Sequence, residues 1–382
     1  MAEKLLKKNT IDLQEEIVMS SLIVEVCKVI KIEKHPNADK LDIATVKGWS
    51  CIVGKDNYKV GDLVIYCPPD SIIPDSIIDQ YKLEFLKKNG RVETIKLRKY
   101  ISQGLILDLS CLDNPTRAEE GQDVGKILNI IKYEPPVSCN LQGKGKKPTK
   151  KKANPLFDKY TDIENIKNYN TVFKEDDEVV ITEKIHGTNF RAGNLLRYKN
   201  NLLGKIMSFF FGKYEFVYGS HNVQKRVANV KMGFYGEDVY GKIAKKYNLK
   251  KIIPEDYILY GEIYGKGIQE LEYEMKDIDV VFFDVKYKGE YLDWSEFLMF
   301  CSCRVLPIVP VLHIGRLGDK DIKKLTEGCS ILSFRRNMMK EQIREGCVVK
   351  SIIEENNHRV GRKILKSINT EYLCSKNRTE FK

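Results

Sequence analysis

The sequence predicts an α+β protein of two domains, a small β-barrel followed by a larger domain of mostly antiparallel sheets flanked by helices. Three observations carry that prediction. Residues from Ser21 to about Ile131 form a succession of short β-rich runs between turn signals: SLIVEVCKVIKIE, LDIATVKG, SCIVGK, DLVIYCP and GLILDLS. The segment YEPPVSCNLQGKGKKPTKKKANP then breaks the pattern, and its lysines, glycines and prolines cannot bury a core. Beyond it, strands (EVVITEK, YILYGEIYG, DVVFFDVKYKG, GCVVKS) interleave with amphipathic helical stretches such as YGKIAKKYNLKKII and DWSEFLMFCSCRV. The boundaries that follow are a first domain over 1–133, a linker over 134–154 and a second domain over 155–382. A chain of 382 residues has room for two cores.

Lys and Arg number 64 against 53 Asp and Glu, a formal charge of +11, and a basic protein of this kind tends to meet polyanions such as nucleic acid or nucleotides. No stretch approaches the ~20 apolar residues of a membrane span, and MAEKLLKKNT runs into charge without the apolar core of a signal peptide. An intracellular, soluble protein is expected. The ten cysteines are scattered without a CxxC pair, which argues against a disulfide scaffold or a zinc site and for reduced, mostly buried thiols. The absence of GxxxxGK[ST] disfavours a P-loop enzyme, and no kinase HRD…DFG set occurs.

The most informative segment is Glu183-Lys184-Ile185-His186-Gly187-Thr188-Asn189. A strand delivers a lysine, and Gly187 lets the backbone turn and a ligand approach closely. A free lysine has a pKa of about 10.4, so only about one in a thousand is an unprotonated nucleophile at neutral pH; a neighbouring cation is needed to discourage the ammonium form. Alone, KxxG is more often an exposed lysine before a turn. What raises it is the ordered series downstream: YGSHN (Tyr218 to Asn222), Tyr260-Gly261-Glu262-Ile263-Tyr264-Gly265, Val281-Phe282-Phe283-Asp284-Val285, Glu345-Gly346-Cys347-Val348-Val349-Lys350, and Lys363-Ile364-Leu365-Lys366-Ser367.

At these residues, over about 155 to 375, the chain resembles the covalent nucleotidyltransferases, which comprise polynucleotide ligases and mRNA capping enzymes. HGTN, FFDV and EGxVVK look most like the RNA ligase 2-like branch. The resemblance implies an ATP-dependent RNA ligase that joins 3′-OH and 5′-phosphate ends. Lys184 matches the nucleophile that takes AMP from ATP, and Glu262 the carboxylate on the ribose hydroxyls. Phe283 or its neighbour Phe282 matches the aromatic on adenine; strand side chains alternate, so one faces the pocket and the other is core. Glu345 looks like the acidic residue that organises Mg²⁺, with Mn²⁺ as an alternative ion, and Lys350 and Lys366 match basic positions near the α-phosphate. Glu183, His186, Gly187 and Asn189 share the nucleophile's motif as pocket residues of unassigned role. Lys363 does not fit the two-lysine spacing of the family and is left unassigned. His221 departs from the arginine expected near a 5′-phosphate, and it stands as a nucleic-acid candidate on position alone.

In the first domain, Lys34-His35-Pro36-Asn37-Ala38-Asp39-Lys40-Leu41 and the following runs resemble an OB-type barrel, a fold that commonly binds single-stranded nucleic acid. Candidate RNA contacts are Lys55, Lys82, Arg91, Lys96, Arg98, Lys99 and Tyr100; an ordinary solvated charge is the competing reading for each single one. RNA with 3′-OH and 5′-phosphate ends, templated by a complementary strand or not, is the expected partner, and a monomer the expected state. The competing functions are a DNA ligase or capping-type guanylyltransferase, disfavoured by HGTN and by a barrel that comes first, and a non-catalytic RNA-binding protein, disfavoured by the intact Lys184, Glu262, Glu345 and Lys366.

Overall fold

The computed structural model describes residues 22–133, 153–198, 206, 208–210, 212–226, 238–269, 271, 273–335 and 342–374. The linker expected over 134–154 lies, up to residue 152, outside them. Asn154, placed in that linker from sequence, is buried and donates to Leu196 O (2.9 Å) and Glu215 Oε1 (3.0 Å), so it is already part of the second domain.

The first domain contains β1 (Glu25–Lys34), β2 (Leu41–Val46), β3 (Trp49–Gly54), β4 (Leu63–Cys67), β5 (Ser71–Ile72), β6 (Thr94–Leu97), β7 (Tyr100–Gln103), β8 (Leu105–Leu107) and β9 (Ile131–Lys132). Five of these make an antiparallel sheet in the order β3-β2-β1-β4-β8. A register shift between Val29 and Lys31 bends β1, as a bulge does, and ahead of it alternation gives the strand a core on each face, Cys27 joining Val29 on the second. Val24 and Val26 pack with Ile65, Ile78 and Leu107, while Val29 packs with Ala44, Val46, Trp49 and Tyr66. The period-2 pattern of LDIATV turns Asp42, Ala44 and Val46 inward, and Asp42 is satisfied there by the Asp56 N–H at 2.9 Å. The sheet curls until Ile52 N–H donates to Ser102 Oγ (3.0 Å) and Cys51 Sγ to Gln103 O (3.3 Å), giving a nearly closed barrel. Buried free thiols Cys27, Cys51 and Cys67 line it.

The second domain adds β10 (Glu164–Asn165), β11 (Glu178–Lys184), β12 (Thr188–Leu196), β13 (Tyr214–Gly219), β14 (Gln224–Arg226), β15 (Tyr257–Gly265), β16 (Ile278–Tyr287), β17 (Glu290–Tyr291), β18 (Val311–Arg316), β19 (Gly346–Ser351), β20 (Asn356–Asn357), β21 (Gly361–Arg362) and β22 (Ile364–Ile368). They form a five-stranded sheet, β10-β22-β19-β11-β18, and a six-stranded sheet, β14-β13-β12-β15-β16-β17. Pairing is antiparallel except between β10 and β22. Helices Val239–Lys246 and Trp294–Ser302 bury Val239, Ile243, Phe297 and Phe300 against one face of the six-stranded sheet through Phe190, Leu259, Val280 and Phe282. On its other face, Val217, Ile258 and Tyr260 meet Val348 and Ile364 of the five-stranded sheet, with Phe157 and Tyr160 between. The domains touch where Trp49 Nε1 donates to Asn168 Oδ1 (2.6 Å), Lys167 Nζ to Gln103 Oε1 (2.7 Å), and Lys96 pairs with Glu371 at 2.9 Å. No helix among the described residues is long and apolar enough to cross a membrane.

Candidate active site

Lys184 is the last residue of β11, the strand that ends where the chain crosses from one sheet to the other. Val179 and Ile181 pack with Cys347, Val349 and Leu365 on one face, and alternation puts Lys184 on the opposite face, with Val180 and Thr182. Glu183 follows the core face instead: it is buried and its Oε2 accepts the Ile331 N–H at 2.9 Å. The structure therefore does not bring Glu183 to the side of Lys184, and burial pushes its carboxyl up.

Lys184 Nζ lies 2.5 Å from Glu345 Oε1. Burial by itself would raise the Glu345 carboxyl, yet Lys184 holds it below the ordinary carboxylate range. Lys184 stands opposite Gly346 in the ladder, and a Cβ on Gly346 would fall 2.1 Å from Ser367 O, so only glycine lets the acidic residue approach the lysine along this path. Gly187 plays a related part. A Cβ there would meet Ile263 O at 2.1 Å; what approaches closely is the backbone of β15, where the sequence suggested a ligand. His186 is buried, its N–H donating to Tyr273 OH (2.9 Å) and its Nδ1 2.7 Å from Tyr372 OH.

The six-stranded sheet supplies the facing wall. Glu262 pairs in register with Asn189 on β12 and Val281 on β16. Burial pushes the Glu262 carboxyl up to about 8, Lys184 opposing the rise and Glu345 adding to it. Among the described residues no donor reaches the buried Asn189 Oδ1, and a buried acceptor left unpaired calls for a partner. Next to them the ladder shifts: Tyr260 pairs with Asp284 and Gly261 with Phe282, leaving Phe283 as the extra residue of a bulge. Phe282 is fully buried in the helix-covered core, whereas Phe283 packs edge-on against Tyr160 (4.8 Å between centroids) beside Val348.

Because of that bulge Asp284 joins Phe283 on the inner side. Its carboxylate is fully buried, with Lys350 Nζ at 2.8 Å, Arg362 at 2.8 Å and the Tyr160 hydroxyl at 2.7 Å. Burial opposes its charge, but Arg362 and Lys350 hold its pKa low. Lys350 is thus fixed in place by a carboxylate. Lys366 shares its face, since Val348 pairs with both Thr182 and Lys366 in one row across three strands. Lys363 turns the other way, to Asp177 and Glu355 at 2.9 Å each, in keeping with the broken spacing. His221 is half-buried in the β13–β14 turn, where burial lowers its pKa, with Lys159 and Arg191 lowering and Asp162 raising it. Sequence reasoning missed Tyr160, Arg191, Arg362 and Tyr372. A lone tyrosine or arginine carries no local signal; Asp284 lay inside a quoted motif without a role.

In the barrel, Lys55, Arg98 and Lys99 are exposed around the β1–β2 loop. Lys55 N–H donates to Lys40 O (3.0 Å), and Asn37 Nδ2 donates to Arg98 O (3.1 Å). Arg91 is engaged elsewhere, paired with the buried Asp70 at 2.6 Å and stacked 4.0 Å over Tyr133.

A family model described as an OB-fold domain matches residues 23–109, and one described as RNA ligase matches residues 177–368, half of the chain. The chain belongs to the RNA ligase family. Among solved structures, this ligase is similar to the Naegleria gruberi RNA ligase: a mutant without ligand (TM-score 0.69, 23% identity, 92% of this chain and 97% of the other), a mutant with AMP and Mn (0.70, 22%, 92% and 98%) and a mutant with ATP and Mn (0.69, 22%, 92% and 98%). That likeness extends the shared fold over both domains. Among curated proteins, phenylalanine--tRNA ligase beta subunits of two Leptospira species match locally, at 28% identity over 128 residues and 37% over 71 residues; the ligase spans only 15% and 9% of their length.

Proposed function

We propose that this ligase is ATP-dependent and seals RNA. Lys184 Nζ attacks the α-phosphorus of ATP, the bond to the pyrophosphate oxygen breaks, and AMP stays on the lysine. It then passes to a 5′-phosphate end, from which a 3′-hydroxyl displaces it. One observation carries the reading: the Lys184–Glu345 pair faces a wall that offers the unpartnered Asn189 Oδ1 beside Glu262.

The ammonium form of Lys184 that pairs with Glu345 is not a nucleophile, so the pair must separate before attack. A hard divalent ion that works on a triphosphate takes one or two carboxylates, water and phosphate oxygens as ligands. Glu345 is the residue that would hold Mg²⁺ or Mn²⁺, which supplies positive charge to screen the triphosphate and to free the lysine. Lys350, braced by Asp284, and Lys366 put positive charge on the same face of the five-stranded sheet, to stabilise charge developing on the α-phosphate. Glu262 binds the ribose hydroxyls, and Phe283 stacks on adenine. In the barrel, Arg98 and Lys99 hold the RNA strand that carries the 3′-hydroxyl. This ligase is expected to act as a monomer.

The test is incubation with a divalent metal and α-³²P-labelled ATP or GTP, followed by a denaturing gel. Label from ATP alone that disappears in Lys184→Ala supports the reading. No label, even after pre-bound AMP is stripped with pyrophosphate, overturns it.

A further inference from the structure

The short C-terminal helix Thr370–Leu373 lies beyond every sequence motif, yet it is fastened to the nucleophile's surroundings at three points. Asn369, just before it, gives its N–H to Glu345 O (2.9 Å) and its side-chain amide to Arg344 O (3.1 Å). Its Oδ1 accepts Glu371 N–H (3.0 Å), capping the helix. One turn on, Tyr372 is buried beside Ile368, Leu373 and Leu271, with its hydroxyl 2.7 Å from His186 Nδ1. The helix is therefore joined both to the backbone of the carboxylate that pairs with Lys184 and to the histidine two residues beyond it.

We infer that Tyr372 is a positioning residue: by holding His186 through Nδ1, it keeps the histidine off Glu345, so that this carboxylate is not tied up by a second donor when Lys184 must be released. The competing contact is visible, since Nδ1 is also 3.5 Å from Glu345 Oε2, a distance at which a hydrogen bond is poor, while 2.7 Å to the phenol is ideal. A phenol donates only to an Nδ1 without hydrogen, so the ring's N–H belongs on Nε2, and the partner of one nitrogen sets the state of the other. His186 is then pinned at both ends, through its backbone N–H to Tyr273 and its ring to Tyr372. Among the described residues Glu345 then has only Lys184 to release from its carboxylate before the lysine can attack.

The inference rests on the ATP reading above, so wild-type labelling is the control that separates the two. Single-turnover labelling of Lys184 over a range of ATP concentrations would compare wild type, Y372F, H186A and the double variant. Y372F removes one oxygen and leaves the ring, and it should slow the maximal rate about tenfold, the low end of what losing the partner of a metal-bound histidine costs, with half-saturation by ATP unchanged. In the H186A background, Y372F should change nothing further, because a residue acting only through His186 has no effect once His186 is gone. Y372F at the wild-type rate, or a full additive loss in the double variant, overturns the inference; absence of label on the wild type overturns the ATP reading and this inference with it. Should Y372F fail to fold, ¹⁵N shifts of the His186 ring in the wild-type protein, assigned by their loss in H186A, decide it: hydrogen on Nε2 supports the geometry, and hydrogen on Nδ1 overturns it.

Discussion

Lys350 Nζ and Asp284 Oδ1 are 2.8 Å apart and both nearly inaccessible, on strands of two different sheets. Their pairing fastens the six-stranded sheet to the five-stranded one at the base of the site. Removing one partner of a buried ion pair leaves an uncompensated charge and costs about 3–5 kcal/mol. Here Asp284→Ala would leave Lys350 and Arg362 to share the one carboxylate of Glu354, 3.5 Å from Lys350 and paired with Arg362. D284A is expected to lower stability by that amount in urea unfolding and to abolish lysine labelling. Unfolding within about 1 kcal/mol of wild type would mean that the cluster is solvated rather than buried.

Gly187 offers a test of the backbone path. Any side chain at this position would drive its Cβ into Ile263 O, so Gly187→Ala must push β12 and β15 apart beside Glu262. Overpacking of this kind costs about 1–3 kcal/mol. G187A is expected to melt below wild type and to lose labelling, whereas Gly212→Ala, with no atom within 4 Å of its Cβ but a φ of +81°, should weaken the fold through backbone strain and leave labelling intact.

The two-domain order and most of the strands could be read from the sequence, because alternation in stretches such as LDIATV and EVVITEK is a local signal. Lys184, Glu262 and Glu345 could be nominated as site residues because each sits in a short motif. The bulge at Phe283 could not: the sequence limits the pocket to one of two phenylalanines, but only the shifted register puts Asp284 on the same side as Phe283. Partners that converge from distant positions, such as Tyr160 and Arg362 on Asp284 or Tyr372 on His186, leave no trace in spacing. Glu183 marks the opposite error. Adjacency to Lys184 suggested a shared pocket, but neighbours on a strand face opposite ways.

Glu262 predicts a pH dependence. Its carboxyl is raised to about 8 in the folded protein by burial, against roughly 4.3 for an exposed glutamate. The folded state therefore binds more protons than the unfolded state between these values, and stability falls as pH rises through that window, levelling off above the folded pKa. Glu262→Gln removes the ionisable group. Thermal melts from pH 5 to 9 should show E262Q falling less steeply than wild type and melting higher at pH 8, even as lysine labelling is lost. Parallel curves for the two proteins would place the Glu262 carboxylate in contact with water.

The β6–β7 hairpin turns through Arg98 and Lys99 at φ of 45° and 76°, a pair of positive angles that Asn-Gly adopts readily and bulky residues adopt at a cost of order 1–3 kcal/mol each. Two basic residues kept at such a turn argue for a use that outweighs the strain, and phosphate contact is the one their charge suits. Replacing them together, Arg98→Asn with Lys99→Gly, separates the two effects. The change relaxes the turn and should raise the melting temperature, since the lost Arg98–Asn37 contact is long (3.3 Å) and exposed. It should also remove two phosphate contacts, flattening the slope of log affinity against log salt for a single-stranded RNA by about 0.7 for each. Lysine labelling, which needs no RNA, should stay at the wild-type rate. A more stable protein with an unchanged salt slope would leave the hairpin as a strained turn without a role in RNA binding, and would move the search for the strand bearing the 3′-hydroxyl to Lys55 and the β1–β2 loop.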